Sequence, residues 1–386
     1  MEELPKKRKL FYIAIPYLLI LAGFFSVEIW ARATHDSIST LALFTGGNFE
    51  RKVEVLPGRG QQIFEGDALL GWKLMPNLKQ VHWDFTTFST NRQGIRYDKD
   101  VGSKDNNTFR IIALGDSVTF GYRVPTTQPD NPLEVPPGQL TYTQLLELYL
   151  KQNNPDKNME VMPMAIPGYT SYQGLKWLKR DIDVLKPDLV ITLFGWNDTE
   201  MHKQSDKEAL PDTWLKFAAR NLLSKSQALI YSNRWFKEKE ESQKLPEDTE
   251  LDLKPRVSKD DFIKNILAIN ELAMKYGAKN IVIGTLLRDA ISETEQSNRI
   301  AEYRAELAKV MSEKNIPYLE IEVLTEAGYP DNYGLFGELI HPNHLGHQII
   351  AEEIIKLIRE KNIFEGNSVN LPSPAPSPAS NQDIQN

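Results

Sequence analysis

The chain has 386 residues, with 45 Lys and Arg against 52 Asp and Glu, a net charge of −7, and a composition that is 41% hydrophobic and 25% charged. The acidic balance argues against a nucleic-acid partner, which a basic face would serve, and the apolar share excludes wholesale disorder. The absence of cysteine excludes disulfides, thiol nucleophiles, Cys-zinc and iron–sulfur sites and a lipoprotein anchor.

Residues 1–9 form a basic stub holding Lys6, Lys7, Arg8 and Lys9, and Leu10–Val27 then runs 18 residues without a charge. At 1.5 Å per residue that helix is about 27 Å long, close to the hydrocarbon thickness of a bilayer. A transmembrane anchor over residues 10–30 is therefore predicted. The cations ahead of it keep Met1 cytoplasmic and place the rest outside. A buried core helix is the competing reading, and the cations on one flank favour it less. Ala31-Arg32-Ala33 looks like a signal-peptidase site, but the apolar run is longer than a usual cleaved core. An uncleaved anchor is expected.

Residues 31–107 show short apolar stretches, the turn pairs Gly46-Gly47 and Pro57-Gly58, and an alternating run over Val81–Phe88. They read as a small β-rich lead-in. From Phe109 onward, apolar runs alternate with helical patterns. Phe109–Leu114, Met159–Ala165, Leu189–Phe194, Asn280–Gly284 and Pro317–Ile321 read as buried parallel strands. Helices are predicted over Thr141–Gln152, from Ser258 to about Tyr276 with Gly277 as the C-cap, and over Asn343–Glu360. The alternation over residues 108–364 implies an α/β fold, a three-layer α/β/α sandwich around a parallel five-stranded sheet of flavodoxin-like type. Residues 199–255 read as a helical insertion, either a cap over a site or plain helix packing. Leu371–Ser380 holds four prolines in ten residues, so residues 365–386 read as a disordered tail.

Four segments carry candidate chemistry. In Gly115-Asp116-Ser117, a strand runs straight into a serine, so Ser117 stands at a carboxyl strand end, where ligands of such sheets bind. An exposed hydroxyl beside main-chain N–H groups suits a nucleophile, and an ordinary strand-to-loop turn is the plain alternative. Three of the six histidines lie at His341, His344 and His347. His341, just before Pro342 and the last helix, is placed to act as general base. Glu338, three residues earlier, is close enough to accept a hydrogen bond from its ring. The competing reading is a metal held by the three histidines, although a spacing of three and three does not keep them on one helix face. His344 and His347 are expected in capping and surface roles. Asn197, after the third strand, can donate its amide to an oxyanion or simply turn the chain, and Gly168, after the second, can do the same with its backbone N–H.

Taken together, a serine after strand one, a glycine after strand two, an asparagine after strand three and a histidine before the last helix resemble the SGNH hydrolases, the GDSL esterase/lipase family. The resemblance spans about Phe109 to Phe364. It implies Ser117 as nucleophile, His341 as base, and an oxyanion hole made by the Ser117 and Gly168 N–H groups and the Asn197 amide. The family's Asp-x-x-His-Pro reads Glu338-x-x-His341-Pro342 here, one methylene longer at the orienting acid, and Asp331 is too far along the chain to replace it without a special loop. Leu70–Asn77 and Asn91–Arg96 are similar to segments that precede the catalytic domain in a bacterial, membrane-anchored branch, whereas Val124–Leu140, with five prolines, looks longer than usual. The resemblance implies an extracytoplasmic serine esterase acting on short acyl, including O-acetyl, esters of a carbohydrate or lipid, with no metal or organic cofactor. The alternatives are an O-acetyltransferase acting on cell-surface polysaccharide and a non-catalytic exported binding protein on the same fold.

Overall fold

The computed structural model describes residues 6–34, 63–83, 86–124, 140–232, 235, 253–286, 294–324, 332–337, 340–366 and 369–372. The chain forms two compact units, residues 1–73 with 210–250, and residues 74–209 with 251–386. In chain order the elements are α1 (Lys6–Thr34), β1 (Phe64–Asp67), β2 (Gly71–Leu74), β3 (Val81–Trp83), β4 (Thr86–Phe88), β5 (Thr108–Gly115), α2 (Ser117–Phe120), α3 (Tyr142–Asn153), β6 (Asn158–Ala165), α4 (Ser171–Leu185), β7 (Leu189–Leu193), β8 (Met201–His202), α5 (Asp206–Ala209), α6 (Trp214–Leu223), β9 (Lys254–Pro255), α7 (Lys259–Lys275), β10 (Lys279–Ile283), α8 (Glu295–Glu313), β11 (Tyr318–Leu319) and α9 (His344–Glu360).

The larger unit is built on a five-stranded sheet in the order β11-β10-β7-β5-β6, and every pairing in it is parallel. Numbered along the sequence this is the doubly wound order 2-1-3-4-5, which reverses direction between β5 and β7. All eight residues of β5 are buried, as a parallel strand covered on both faces requires. On one face, Ile111 and Ala113 of β5, Ile191 of β7 and Ile281 of β10 join Leu145 and Leu146 of α3 and Ile350 and Ile354 of α9 in one apolar cluster. Helices α4 and α7 pack together and against the sheet, burying Leu175, Leu178 and Ile182 of α4 and Phe262, Ile266 and Ile269 of α7. The predicted three-layer sandwich is the observed fold, and the five predicted strands match those of the sheet.

Helix starts follow their caps. Thr141 and Thr170 form capping boxes with Gln144 and Gln173, and the Ser258 hydroxyl accepts from the N–H of Asp261. Gly277, at φ +79°, follows α7. The alternating run Val81–Phe88 forms two strands, β3 and β4. It folds back as an antiparallel pair with Val81 opposite Phe88 and Trp83 opposite Thr86. The tail begins later than its proline content suggested. Val369 and Leu371 pack on the core, and Asn370 exchanges hydrogen bonds with Asn154 at 2.7 and 2.8 Å. The expectation for residues 373–386 lies outside the described residues.

In the smaller unit, α1 contains an apolar stretch, Ala14–Ala33, long enough to cross a membrane and almost wholly exposed. The described part of the insertion is mostly helical, with α6 followed by a helical stretch over 227–232, but its two ends, β8 and β9, pair as a short antiparallel ribbon that the sequence reading did not expect.

Candidate active site

The strands β5, β6 and β7 end level with one another: Gly115 pairs with both Ala165 and Leu193. The segments that leave these ends carry Ser117, Gly168 and Asn197. The fold's reversal point lies here, where such sheets bind ligands.

A side chain on Gly115 would stand 2.1 Å from the Thr119 hydroxyl and 2.9 Å from the Leu193 carbonyl oxygen, so only glycine lets β5 turn sharply into α2 beside β7. Asp116 caps that turn, its Oδ1 accepting from the Val118 N–H at 3.0 Å. Gly121 ends it at φ +78°, the left-handed conformation that glycine enters without strain. Arg96, from the lead-in, is buried beneath and donates Nη1 to the carbonyls of Phe120 and Gly121 at 2.8 and 2.9 Å. The short helix that presents Ser117 is thus fixed at both ends.

His341 approaches from the other side of the sequence. Its Nε2 is 2.8 Å from Ser117 Oγ, within reach for the hydroxyl to donate to an unprotonated ring nitrogen. The backbone that carries it is pinned. Its carbonyl accepts from the Gly337 N–H at 2.9 Å, and Asn343 caps α9 by accepting from Leu345 and Gly346 at 2.9 and 3.2 Å. The Tyr122 ring meets the His341 ring edge-on, with centroids 4.7 Å apart, and Trp83 of β3 lies 5.0 Å from Tyr122. The lead-in therefore builds one wall of the site. Glu338, Asp331 and the proline-rich loop 125–139 lie outside the described residues.

Ile166-Pro167-Gly168-Tyr169 is a tight turn closed by the Tyr169 N–H on the Ile166 carbonyl at 3.1 Å. Proline at its second position and glycine at φ +85° are what a type II turn demands. Asn197 ties this turn to the serine turn, donating Nδ2 to the Tyr169 carbonyl at 2.9 Å and to Asp116 Oδ2 at 3.2 Å. Among the described residues, the backbone N–H groups of Ser117 and Gly168 donate to no protein acceptor. Burial pushes the Asp116 carboxyl up to about 7, against the pull of the Val118 N–H and the Asn197 amide.

A second layer, invisible in the sequence, holds these parts. Arg256 is buried just before α7. It donates to the Gly168 carbonyl at 2.8 Å, to Gln173 Oε1 at 3.0 Å and to both Asp206 oxygens at 3.1 Å. Asp198, next to Asn197, accepts from the Ser171 N–H at 3.0 Å and its hydroxyl at 2.5 Å, stitching the asparagine turn to the start of α4. Burial raises this carboxyl too, to about 7.

The three histidines do not act together. His347 is wholly buried, contrary to its expected surface or capping role. Its Nδ1 accepts from the Tyr142 N–H at 3.1 Å, its ring stacks on Tyr142 at 5.9 Å, and burial lowers its pKa to about 3. It is a neutral core residue joining α9 to α3.

Residues 113–349 match the model of the GDSL-like Lipase/Acylhydrolase family. The chain belongs to that family. GDSL-type enzymes hydrolyse ester bonds, and this chain is an ester-bond hydrolase. Solved structures similar to it include a lipase/acylhydrolase from Enterococcus faecalis, at 18% identity over 69% of this chain and 100% of that one with a TM-score of 0.39. A GDSL-like lipase from Bacteroides thetaiotaomicron is 14% identical over 68% and 93%, with a TM-score of 0.40. An acetylxylan esterase from Geobacillus stearothermophilus is 18% identical over 67% and 95%, with a TM-score of 0.39. No curated protein matches the chain.

The GDSL pattern marks Ser117, Gly168, Asn197 and His341, but not Arg256, Asp198 or the Tyr122–Trp83 pair. The only sequence signal for Arg256 is its place in a short link between a polar insertion and a capped helix.

Proposed function

We propose that the protein is a membrane-anchored, extracytoplasmic serine esterase that cleaves short acyl esters, O-acetyl groups included, through an acyl-enzyme on Ser117. The observation that carries this reading is the 2.8 Å approach of His341 Nε2 to Ser117 Oγ, at the level carboxyl ends of β5, β6 and β7.

Ser117 Oγ attacks the ester carbonyl as His341 Nε2 takes its proton. The carbonyl oxygen becomes an oxyanion held by the N–H groups of Ser117 and Gly168, which are in place before charge develops, and by Asn197 Nδ2, which gives up its 3.2 Å bond to Asp116 Oδ2 to reach it. The C–O bond to the alcohol breaks, and His341 returns its proton to the leaving oxygen. Water, deprotonated by His341, then attacks the acyl-enzyme and frees the acid and Ser117. Glu338 is assigned to orient the His341 ring. The half-exposed Tyr122 beside His341, with half-exposed Trp83 against it, supports a sugar ring as the alcohol moiety.

Retention of α1 as the anchor is supported by Glu28. Its carboxylate accepts from the Ser226 hydroxyl at 2.7 Å and from the N–H groups of Gln227 and Ala228 at 3.1 and 2.9 Å. These are donors that the start of the helical stretch 227–232 cannot satisfy within itself. Cleavage after Ala33 would remove that cap.

A fluorophosphonate probe tests the reading on the full chain. The expected result is one adduct on Ser117 by peptide mass spectrometry, slowed by excess p-nitrophenyl acetate present with the probe and lost in His341→Ala. Labelling elsewhere with Ser117 untouched overturns it. The same digest should recover peptides from residues 10–33 in the mature protein.

A further inference from the structure

Helix α6 wears its apolar face outward. Its two i, i+4 ridges are Trp214-Ala218-Leu222 and Leu215-Ala219-Leu223. Trp214, Leu215 and Leu222 are 74%, 73% and 70% exposed. None of its residues is buried, and the half-buried side, with Phe217, Ala218, Arg220 and Asn221, is the more polar one. A helix on the surface of a water-soluble protein turns its apolar stripe inward, so this patch marks an interaction surface.

The same compact unit identifies what covers it. Two residues after α6, the chain is fastened to the end of α1. Glu28 caps the stretch 227–232 as described, Arg32 donates to the Lys225 carbonyl at 2.9 Å, and the Trp30 and Tyr231 rings meet at 5.9 Å. Glu28 and Arg32 are the first charges after the apolar run, and they mark the depth at which hydrocarbon gives way to headgroups. Trp30, Tyr231 and Trp214 are the residue types that settle at that depth. The flank of α6 carries Lys216, Arg220 and Lys225; Asp212 pairs with Lys216 at 2.8 Å, and Asp67 acts on Arg220, which leaves the cations in excess. An apolar face bordered by cations suits a bilayer surface carrying anionic lipid.

We propose that α6 is an interfacial helix, lying in the plane of the membrane with Trp214, Leu215 and Leu222 among the lipid headgroups and upper acyl chains. This rests on α1 being a retained membrane anchor.

The cysteine-free chain allows single-site labelling. The full chain carrying Leu215→Cys or Leu222→Cys is labelled with an environment-sensitive fluorophore and reconstituted in phosphatidylcholine–phosphatidylglycerol vesicles. Leu18→Cys in α1 and Lys356→Cys on exposed α9 serve as references. Labels at 215 and 222 should emit to the blue of the label at 356. A lipid-borne quencher high on the acyl chain should quench them several-fold more than one near its end, with the order reversed at 18. Labels at 215 and 222 that match 356 while 18 is lipid-quenched overturn the proposal and leave the anchor standing. A wet label at 18 overturns the anchor itself. Blue-shifted labels at 215 and 222 that lipid does not quench, but that change as the protein is diluted among vesicles, indicate a second copy of the chain and also overturn the proposal.

Discussion

Replacing Arg256 with methionine separates the support of the site from its chemistry. The guanidinium is 6% exposed and pairs with Asp206, itself 11% exposed. Its removal strands a buried carboxylate, a loss on the order of 3–5 kcal/mol. In a domain of this size each kcal/mol lowers Tm by about 2–4 °C, so Arg256→Met should melt roughly 6–20 °C lower. The variant also frees the Gly168 carbonyl, and with it the turn that aims the Gly168 N–H. Loss of one oxyanion donor costs about 10²–10³ in kcat, and a donor that is loosened rather than deleted should cost about tenfold to a hundredfold. Adding Asp206→Asn neutralises the stranded acid. The double variant should recover most of the lost Tm, because Thr170 still donates to residue 206, while kcat stays low. Thermal melts with steady-state p-nitrophenyl acetate kinetics read both quantities. Wild-type kcat in a folded Arg256→Met protein would refute the claim that this arginine positions Gly168.

Three further outcomes are expected. Asn197→Ala should lower kcat by about 10²–10³ with little change in KM, on the proposal that its amide serves the oxyanion; an equal fall in a variant that keeps the amide, Asn197→Gln, would mean that geometry matters more than the donor. Asp198 has a folded pKa near 7, raised by burial from its ordinary 3.8, so its contribution to stability is full below about pH 4 and is lost as pH rises through about 7. Melts of Asp198→Asn across that range should fall less steeply than wild type, by a few kcal/mol at most at 1.36 kcal/mol per pKa unit, and parallel curves would contradict this. Trp83→Ala should raise KM for an acetylated sugar about two- to tenfold, the worth of one aromatic contact of about 0.5–1.5 kcal/mol, with kcat nearly unchanged; a fall in kcat alone would place Trp83 outside substrate binding.

The sheet was legible because a parallel strand buried on both faces is a continuous apolar run between turn residues, as Arg110–Leu114 shows with Ile-Ile-Ala-Leu after a single cation. The serine, glycine, asparagine and histidine turns were legible because each follows or precedes such a run at a fixed place. Helices α4 and α8 escaped because their exposed faces are crowded with charge, as in Glu-Gln-Ser-Asn-Arg at the start of α8, although Thr170 and Gln173 already spelled a capping box. The reversal within the alternating run Val81–Phe88 was not legible because alternation survives it: Val81 and Phe88, at the two ends of the pair, are both buried. Arg256 was beyond reach because Gly168 and Asp206 lie 88 and 50 residues away. His347 was read as a capping or surface residue because nothing in the local sequence shows that it faces Tyr142, 205 residues away along the chain, where burial gives it a structural role.

The most direct test is the kcat/KM of the full chain for p-nitrophenyl acetate, measured for wild type and Ser117→Ala in parallel, with Tm showing both are folded. Wild type should turn over steadily, and the variant should lose at least about a thousandfold, since such triads act as a unit. A folded Ser117→Ala protein within about tenfold of wild type would contradict the assignment of Ser117 as the nucleophile.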